Sequence, residues 1–388
     1  MRRDDTKIKK WLDERKAQFL YRVPKKTSSP QQTRMVVDGK KVLSFCSNDY
    51  LGLANHPRII ETLVSATHQY GVGSGASHLV SGHSVEHDLL EQELAEFTGR
   101  DAALLFSTGY MANLGIISAL MEQGDAVFQD KLNHASLIDG SLLSSAQLIR
   151  YRHNDMSILE KKLKAHPAKN KMLLSDGVFS MDGDCADISS LVALSQQQKA
   201  WLMIDDAHGF GVLGKQGAGL LEESSTTQDE VPLLMATLGK AVGVSGAFVA
   251  GSYDHIDYLK QTARTWMYST AMPPALAAAS RESLNIIKQE AWRREKLFEL
   301  IALFKQGAKE RGFDLLASDT AIQPVLVGNS ELAMATSQEL FEKGILVTAI
   351  RPPTVPKHTD RLRITLSANH EREDILSLLN NLEQCLKN

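Results

Sequence analysis

Seven short apolar runs recur between residues 102 and 250: Ala102 to Phe106, Ala126 to Phe128, Leu148 to Tyr151, Met172 to Leu174, Trp201 to Ile204, Leu233 to Leu238 and Ala247 to Ala250. Helical periodicity fills stretches before and between them, at Pro57 to Tyr70, Ser84 to Phe97 and Met111 to Met121. Runs too short to be buried helices, alternating with amphipathic segments, predict a mostly parallel seven-stranded sheet covered by helices on both faces. In such an α/β layer, ligands lie beyond the carboxyl ends of the strands.

Outside this region the pattern differs. Residues 4 to 20 carry Ile8, Trp11, Leu12, Phe19 and Leu20 at helical spacing, and two strands around Met35 to Val37 and Val42 to Phe45 flank an Asp38-Gly39 turn. After Pro273-Pro274 one long helix is expected from Ala275 to Arg311. Strands follow at Ile322 to Val327, Ile345 to Val347 and Leu362 to Leu366, with helices at Glu331 to Lys343 and Glu371 to Leu386. This divides the chain into an N-terminal helix and short strands (1–48), a large domain (49–284) and a smaller α+β domain (285–388).

A net charge of −3 over 388 residues gives no general attraction to nucleic acid or anionic membranes. The basic cluster Arg2, Arg3, Lys7, Lys9 and Lys10 is interleaved with Asp4 and Asp5 and reads as a solvated helix face. Three widely spaced cysteines, Cys46, Cys185 and Cys385, suit free thiols in a reducing compartment. No signal peptide or membrane span is expected, which points to the cytoplasm.

Three motifs fail on inspection. His83 to His87 fits H-x-x-E-H, but nothing in the sequence nominates a third metal ligand. Gly209 to Gly214 fits G-x-G-x-x-G, yet Asp205 and Asp206 crowd the place a pyrophosphate needs. Gly239-Lys240 lacks the earlier glycine of a P-loop and is followed by Ala241.

The strand ends carry a more coherent set. Ser107-Thr108-Gly109-Tyr110 joins a strand to a helix, where free N–H groups suit a phosphate. His134 follows the second run by a short loop, Ser180 follows the fourth, and Asp205 ends the fifth with His208 three residues on. Lys240 stands one strand later, in LLMATLGKAVGVSG. Singly, each has a structural use. Together they suit pyridoxal phosphate: a lysine for a Schiff base, an acid for the ring nitrogen, an imidazole to stack, and a helix start for the phosphate.

Longer stretches then become familiar. SNDYLGL (Ser47 to Leu53), GSGASHLVSGH (Gly73 to His83), STGYMAN (Ser107 to Asn113), DDAHGFGVLG (Asp205 to Gly214), TLGK (Thr237 to Lys240), YSTAMPP (Tyr268 to Pro274) and RPPTVP (Arg351 to Pro356) resemble the α-oxoamine synthases. His78, where relatives often have arginine, and Lys357-His358, where they often have a glycine, depart from the pattern. The resemblance implies a fold-type-I enzyme, a homodimer with sites at the interface. It implies condensation of L-alanine with pimeloyl-CoA or a pimeloyl-carrier protein in biotin biosynthesis.

By the same resemblance Lys240 holds the cofactor and is the base at Cα, Asp205 meets the pyridinium nitrogen, and His208 and Ser180 approach the phenolic oxygen. His134 stacks on the ring beside substrate, while Gly109, Tyr110 and Thr237 hold the phosphate and its flank. Arg363 binds the amino-acid carboxylate, although spacing alone does not choose between it and Arg361. Arg22 and Thr354 contact substrate, and Ser269 and Thr270 reach a second subunit's phosphate. The rivals are a sister synthase using glycine and another acyl-CoA, an aminotransferase of the same fold, and a non-catalytic partner subunit. Lys240 and Asp205 together argue against the last.

Overall fold

A computed structural model of the chain describes residues 5–18 and 20–387. Arg2, Arg3, Asp4 and Phe19, part of the expected N-terminal helix and its charged face, lie outside the described residues. The helix Thr6–Ala17 buries none of its residues; Trp11 is exposed and carries the Arg15 guanidinium 4.7 Å from its ring centre. Two strands follow, β1 (Arg34–Val37) and β2 (Lys40–Ser44), paired antiparallel. Asp38 and Gly39 both adopt positive φ in the turn between them, the conformation a tight hairpin needs.

The central sheet contains β3 (Ala102–Phe106), β4 (Ala126–Asp130), β5 (Gln147–Tyr151), β6 (Lys171–Asp176), β7 (Trp201–Asp205), β8 (Leu233–Thr237) and β9 (Ala247–Gly251). Their order is β3-β9-β8-β7-β6-β4-β5, with β9 antiparallel to both neighbours and the other pairs parallel. All seven expected strands form, each within two residues of the apolar run that announced it. β4, β6, β8 and β9 are buried almost throughout, because helices lie on both faces. One core face centres on Phe128, Leu173, Ile204 and Phe248, and the other on Val127, Met172, Met203 and Val249. This alternation along each strand is what a sheet packed on both sides requires.

The expected helix from Ala275 to Arg311 is two helices, Pro274–Gln289 and Trp292–Glu310. The break is held by two buried arginines. Arg293 reaches Glu290 Oε2 at 2.7 Å and the Leu51 carbonyl at 3.0 Å, and Arg294 donates to Ile287 and Lys215 carbonyls, both at 2.9 Å. Periodicity ran on unbroken because two of these anchors, the Leu51 and Lys215 carbonyls, are distant in sequence. The 284/285 boundary therefore falls inside the first of these helices.

Beyond it, β10 (Ile322–Leu326), β12 (Thr348–Ile350) and β13 (Arg361–Thr365) form one small sheet, and β11 (Ile345–Leu346) pairs parallel with β2. The single strand expected at Ile345 to Val347 is thus two, serving different sheets. N-terminal residues and the C-terminal part share one sheet.

Candidate active site

The carboxyl ends of β4, β6, β7 and β8 face one rim, as parallel pairing demands. There a cavity of about 190 Å³ is lined by Gly109, Tyr110, Asn113, His134, Ser136, Asp176, Val178, Ser180, Asp205, Ala207, His208, Met235, Thr237 and Lys240. Eight residues nominated from the sequence are among them. Arg22 and Thr354 are exposed and do not line it.

Lys240 enters from the loop after β8. Gly243 in that loop takes φ +74, and a Cβ there would come within 2.6 Å of the Ala54 nitrogen, so the loop packs on SNDYLGL backbone as only glycine can. Among the described residues the Lys240 amine has no hydrogen bond and no ion pair. Burial lowers its pKa to about 8, against the opposing pull of Asp205 and Asp176.

Asp205 ends β7, 6% exposed; its Oδ2 accepts from Asn113 Nδ2 at 2.8 Å and its Oδ1 from the Ala207 N–H at 3.1 Å. Asn113 also donates to Ser136 Oγ at 2.8 Å, and Ser136 Oγ lies 2.7 Å from His134 Nδ1. The acid and the imidazole are therefore tied through Asn113 and Ser136, neither nominated from the sequence. Asn113 had a signal: it lies one helical turn after Gly109, on the same face. Asp176, in register beside Asp205, is held well above the usual carboxylate range by burial and then by its neighbour's charge.

The helix Gly109–Leu120 begins at the cavity, capped by Thr108, whose side chain accepts from the Met111 N–H at 3.2 Å. The N–H groups of Gly109 and Tyr110 have no intrahelical partner and offer an anion site. Tyr110 and His134, both exposed, stand edge to face at 6.2 Å across the mouth. Thr237 Oγ1 donates to the Gly246 carbonyl at 2.9 Å. Half-buried His208 sits 2.7 Å from the Tyr50 hydroxyl through Nδ1.

The two arginines of β13 differ. Arg361 is ion-paired with Asp182 at 2.6 Å. Arg363, 8% exposed, donates to the Ser180 carbonyl at 2.6 Å and to Asn48 Oδ1 at 3.3 Å, and no carboxylate meets it among the described residues.

Two of the rejected motifs also resolve. Around Gly209 the carboxylate of Asp206 fills the space: Cβ atoms at Gly209 and Gly219 would fall 2.1 and 2.0 Å from its oxygens, and it accepts from the Leu220 N–H at 2.6 Å. The glycines make room for a buried acid. Near H-x-x-E-H the fold brings in a third imidazole, His78, with ring nitrogens of His78, His83 and His87 within 4.8 Å of one another. Those of His87 are taken, one accepting from the Ser84 N–H at 2.9 Å and the other 2.8 Å from the Met272 carbonyl.

Residues 40–382 match the family described as aminotransferase class I and II. Proteins named 8-amino-7-oxononanoate synthase from Saccharophagus degradans and Cellvibrio japonicus are 53% and 55% identical, covering 99% and 97% of this chain and 97% and 94% of their own. A serine palmitoyltransferase structure from Sphingomonas wittichii superposes with a TM-score of 0.94 at 30% identity, over 99% of this chain and 98% of that one. An 8-amino-7-oxononanoate synthase structure from Francisella tularensis gives 0.79 at 31%, over 89% and 98%. The chain belongs to the class I and II aminotransferase family and, within it, to the 8-amino-7-oxononanoate synthases.

Proposed function

We propose that this chain binds pyridoxal 5′-phosphate and condenses L-alanine with pimeloyl-CoA, or a pimeloyl-carrier protein, to 8-amino-7-oxononanoate, CoA and carbon dioxide in biotin biosynthesis. The observation that carries this reading is the Lys240 amine, half-buried and without a hydrogen bond or ion pair among the described residues, sharing one cavity with the Asp205 carboxylate. The cavity also fits the cofactor in its details: buried Asn113 Oδ1 and Asp176 Oδ1 have no partner among the described residues, and a helix start presents its N–H groups there.

When bound, the cofactor supplies an electron sink for bonds breaking at the substrate Cα. Lys240 would hold it, and its amine, with a pKa lowered to about 8, would serve as the base for the substrate Cα proton. Asp205, oriented by Asn113 and the Ala207 N–H, would keep the ring nitrogen protonated. His208 and Ser180 would hold the phenolic oxygen, and His134 would lie against the ring and the substrate. Gly109 and Tyr110 N–H groups, with Thr237, bind the phosphate. Arg363 binds the alanine carboxylate, since Arg361 is already neutralised by Asp182. Arg22 and Thr354 are assigned to substrate by family resemblance.

The test is an absorption spectrum of the purified protein, followed by additions of L-alanine and then pimeloyl-CoA, with glycine and other acyl thioesters alongside. A cofactor band perturbed by alanine, with CoA released only on adding the pimeloyl thioester, is expected. Turnover restricted to glycine would hand the chain to a sister synthase. Exchange of amino groups with keto acids, without CoA release, would make it an aminotransferase.

Replacing Arg363 by Lys is expected to raise KM for alanine roughly ten- to hundredfold, since a bidentate charged hydrogen bond contributes about 1.5–3 kcal/mol. Arg361→Lys is expected to leave KM within about twofold and to lower the melting temperature, its partner being structural. Equal KM effects in steady-state kinetics would reverse this assignment.

The active unit is a homodimer in this reading. Leu79, Val80 and Tyr268 are exposed on segments joined by the Ser77–Thr270 bridge, and Ser107 Oγ reaches the Thr270 carbonyl at 3.4 Å beside the cavity. Such a patch suits a second copy that brings Ser269 and Thr270 to its partner's phosphate. Sedimentation at twice the chain mass, lost in Val80→Asp, is the expected result; a monomer at working concentration would remove the shared site. No described helix is long and apolar enough to cross a membrane, and the free cysteines favour the cytoplasm.

A further inference from the structure

Behind His208 lies a buried hydrogen-bonded chain to which the mechanism above gives no task. Tyr50 is 1% exposed, and its hydroxyl lies 2.7 Å from His208 Nδ1 and 3.2 Å from Asn48 Oδ1. Asn48 Oδ1 also accepts from Arg363 Nη2 at 3.3 Å. A phenol has one proton, and two acceptors compete for this one. The amide oxygen already has a charged donor. The imidazole nitrogen is the more basic acceptor and the nearer. The Tyr50 proton therefore goes to Nδ1.

An Nδ1 that accepts requires the ring's own proton on Nε2 when the imidazole is neutral. Neutrality is favoured by burial first, and then by the positive charges of Lys240 and Arg363, which together hold His208 well below its usual range. His208 Nε2 has no hydrogen-bond partner among the described residues, and the side chain lines the cavity. Tyr50 is itself held rigidly: its carbonyl accepts from the Ala368 N–H at 2.8 Å, and its ring is fully enclosed.

We infer that Tyr50 is a positioning residue, fixing His208 as a neutral imidazole that offers its Nε2–H to the cavity. Under the functional reading above, that proton is the donor to the cofactor's phenolic oxygen. A sheet-rim histidine alone could present either tautomer; the phenol from SNDYLGL selects one.

Nitrogen NMR of isotopically labelled histidine in the cofactor-free protein tests this directly, with the His208 signals assigned by their loss in His208→Asn. The expected result is a protonated Nε2 and a hydrogen-bond-accepting Nδ1. Tyr50→Phe removes only the hydroxyl and is expected to give a mixture of tautomers. Asn48→Ala, which removes the competing acceptor, is expected to preserve the wild-type pattern. In the loaded protein, Tyr50→Phe is expected to move the pH midpoint of the cofactor's visible band by about one unit. A wild-type His208 protonated at Nδ1, or a Tyr50→Phe protein with unchanged tautomer and midpoint, would overturn the inference. The first arm needs no cofactor, so its outcome is independent of whether pyridoxal phosphate binds.

Discussion

Lys240→Ala is expected to fold normally and to form no borohydride-reducible bond with pyridoxal phosphate. Removing an amine that makes no hydrogen bond or ion pair among the described residues takes no polar contact away. It also relieves a buried charge, so the melting temperature should hold or rise. Turnover should fall below detection, because anchoring and proton transfer at Cα depend on the same nitrogen. In the parent chain the bond should form faster as pH rises. The amine pKa is lowered to about 8, so its reactive neutral fraction grows roughly tenfold per pH unit below that value and levels off above it. A reducible bond surviving in Lys240→Ala would assign the anchor to another residue. A bond-forming rate still climbing tenfold per unit at pH 9–10 would show that the site leaves the amine unperturbed.

Asp205→Asn should retain cofactor and lose at least about three orders of magnitude in rate, about 4 kcal/mol of barrier. An amide cannot stabilise a protonated ring nitrogen as a carboxylate can. The fold should survive the change. The substituted side chain keeps an oxygen to accept from the Ala207 N–H, and Asn113, whose buried Oδ1 has no partner, can turn that oxygen toward the new amide. The cofactor spectrum and single-turnover rates separate binding from chemistry. Activity within about tenfold of the parent, ~1.4 kcal/mol, would remove the electron-sink role.

Much of the candidate site was legible because it sits at strand ends. A parallel strand declares itself by a short apolar run, and its last residues must face the rim where ligands bind. Asp205, His208, Thr237 and Lys240 could thus be placed beside one another from the order of residues alone. The residues that tune them were hidden. Asn113 meets Asp205 across 92 positions, Tyr50 meets His208 across 158 and Arg363 meets Ser180 across 183. No local period encodes a partner so far along the chain.

The choice between Arg361 and Arg363 shows the same limit from another side. Two residues apart on one strand, they share a face, and periodicity treats them alike. Only the loop that delivers Asp182 to one of them makes the other available. The helix break after Gln289 likewise depends on contacts between separate segments, Arg293 with the Leu51 carbonyl and Arg294 with the Lys215 carbonyl.

The amino-acid order by itself determined the layered α/β sheet, its seven strands and the rim on which the reactive groups stand, because alternation and helical period act over a few residues. Tertiary structure alone decided which acid stays buried beside another, which arginine keeps an unpaired charge and which nitrogen of His208 is engaged. Those outcomes depend on packing, burial and charge brought together from distant segments, where dielectric and geometry rather than sequence spacing set the energy.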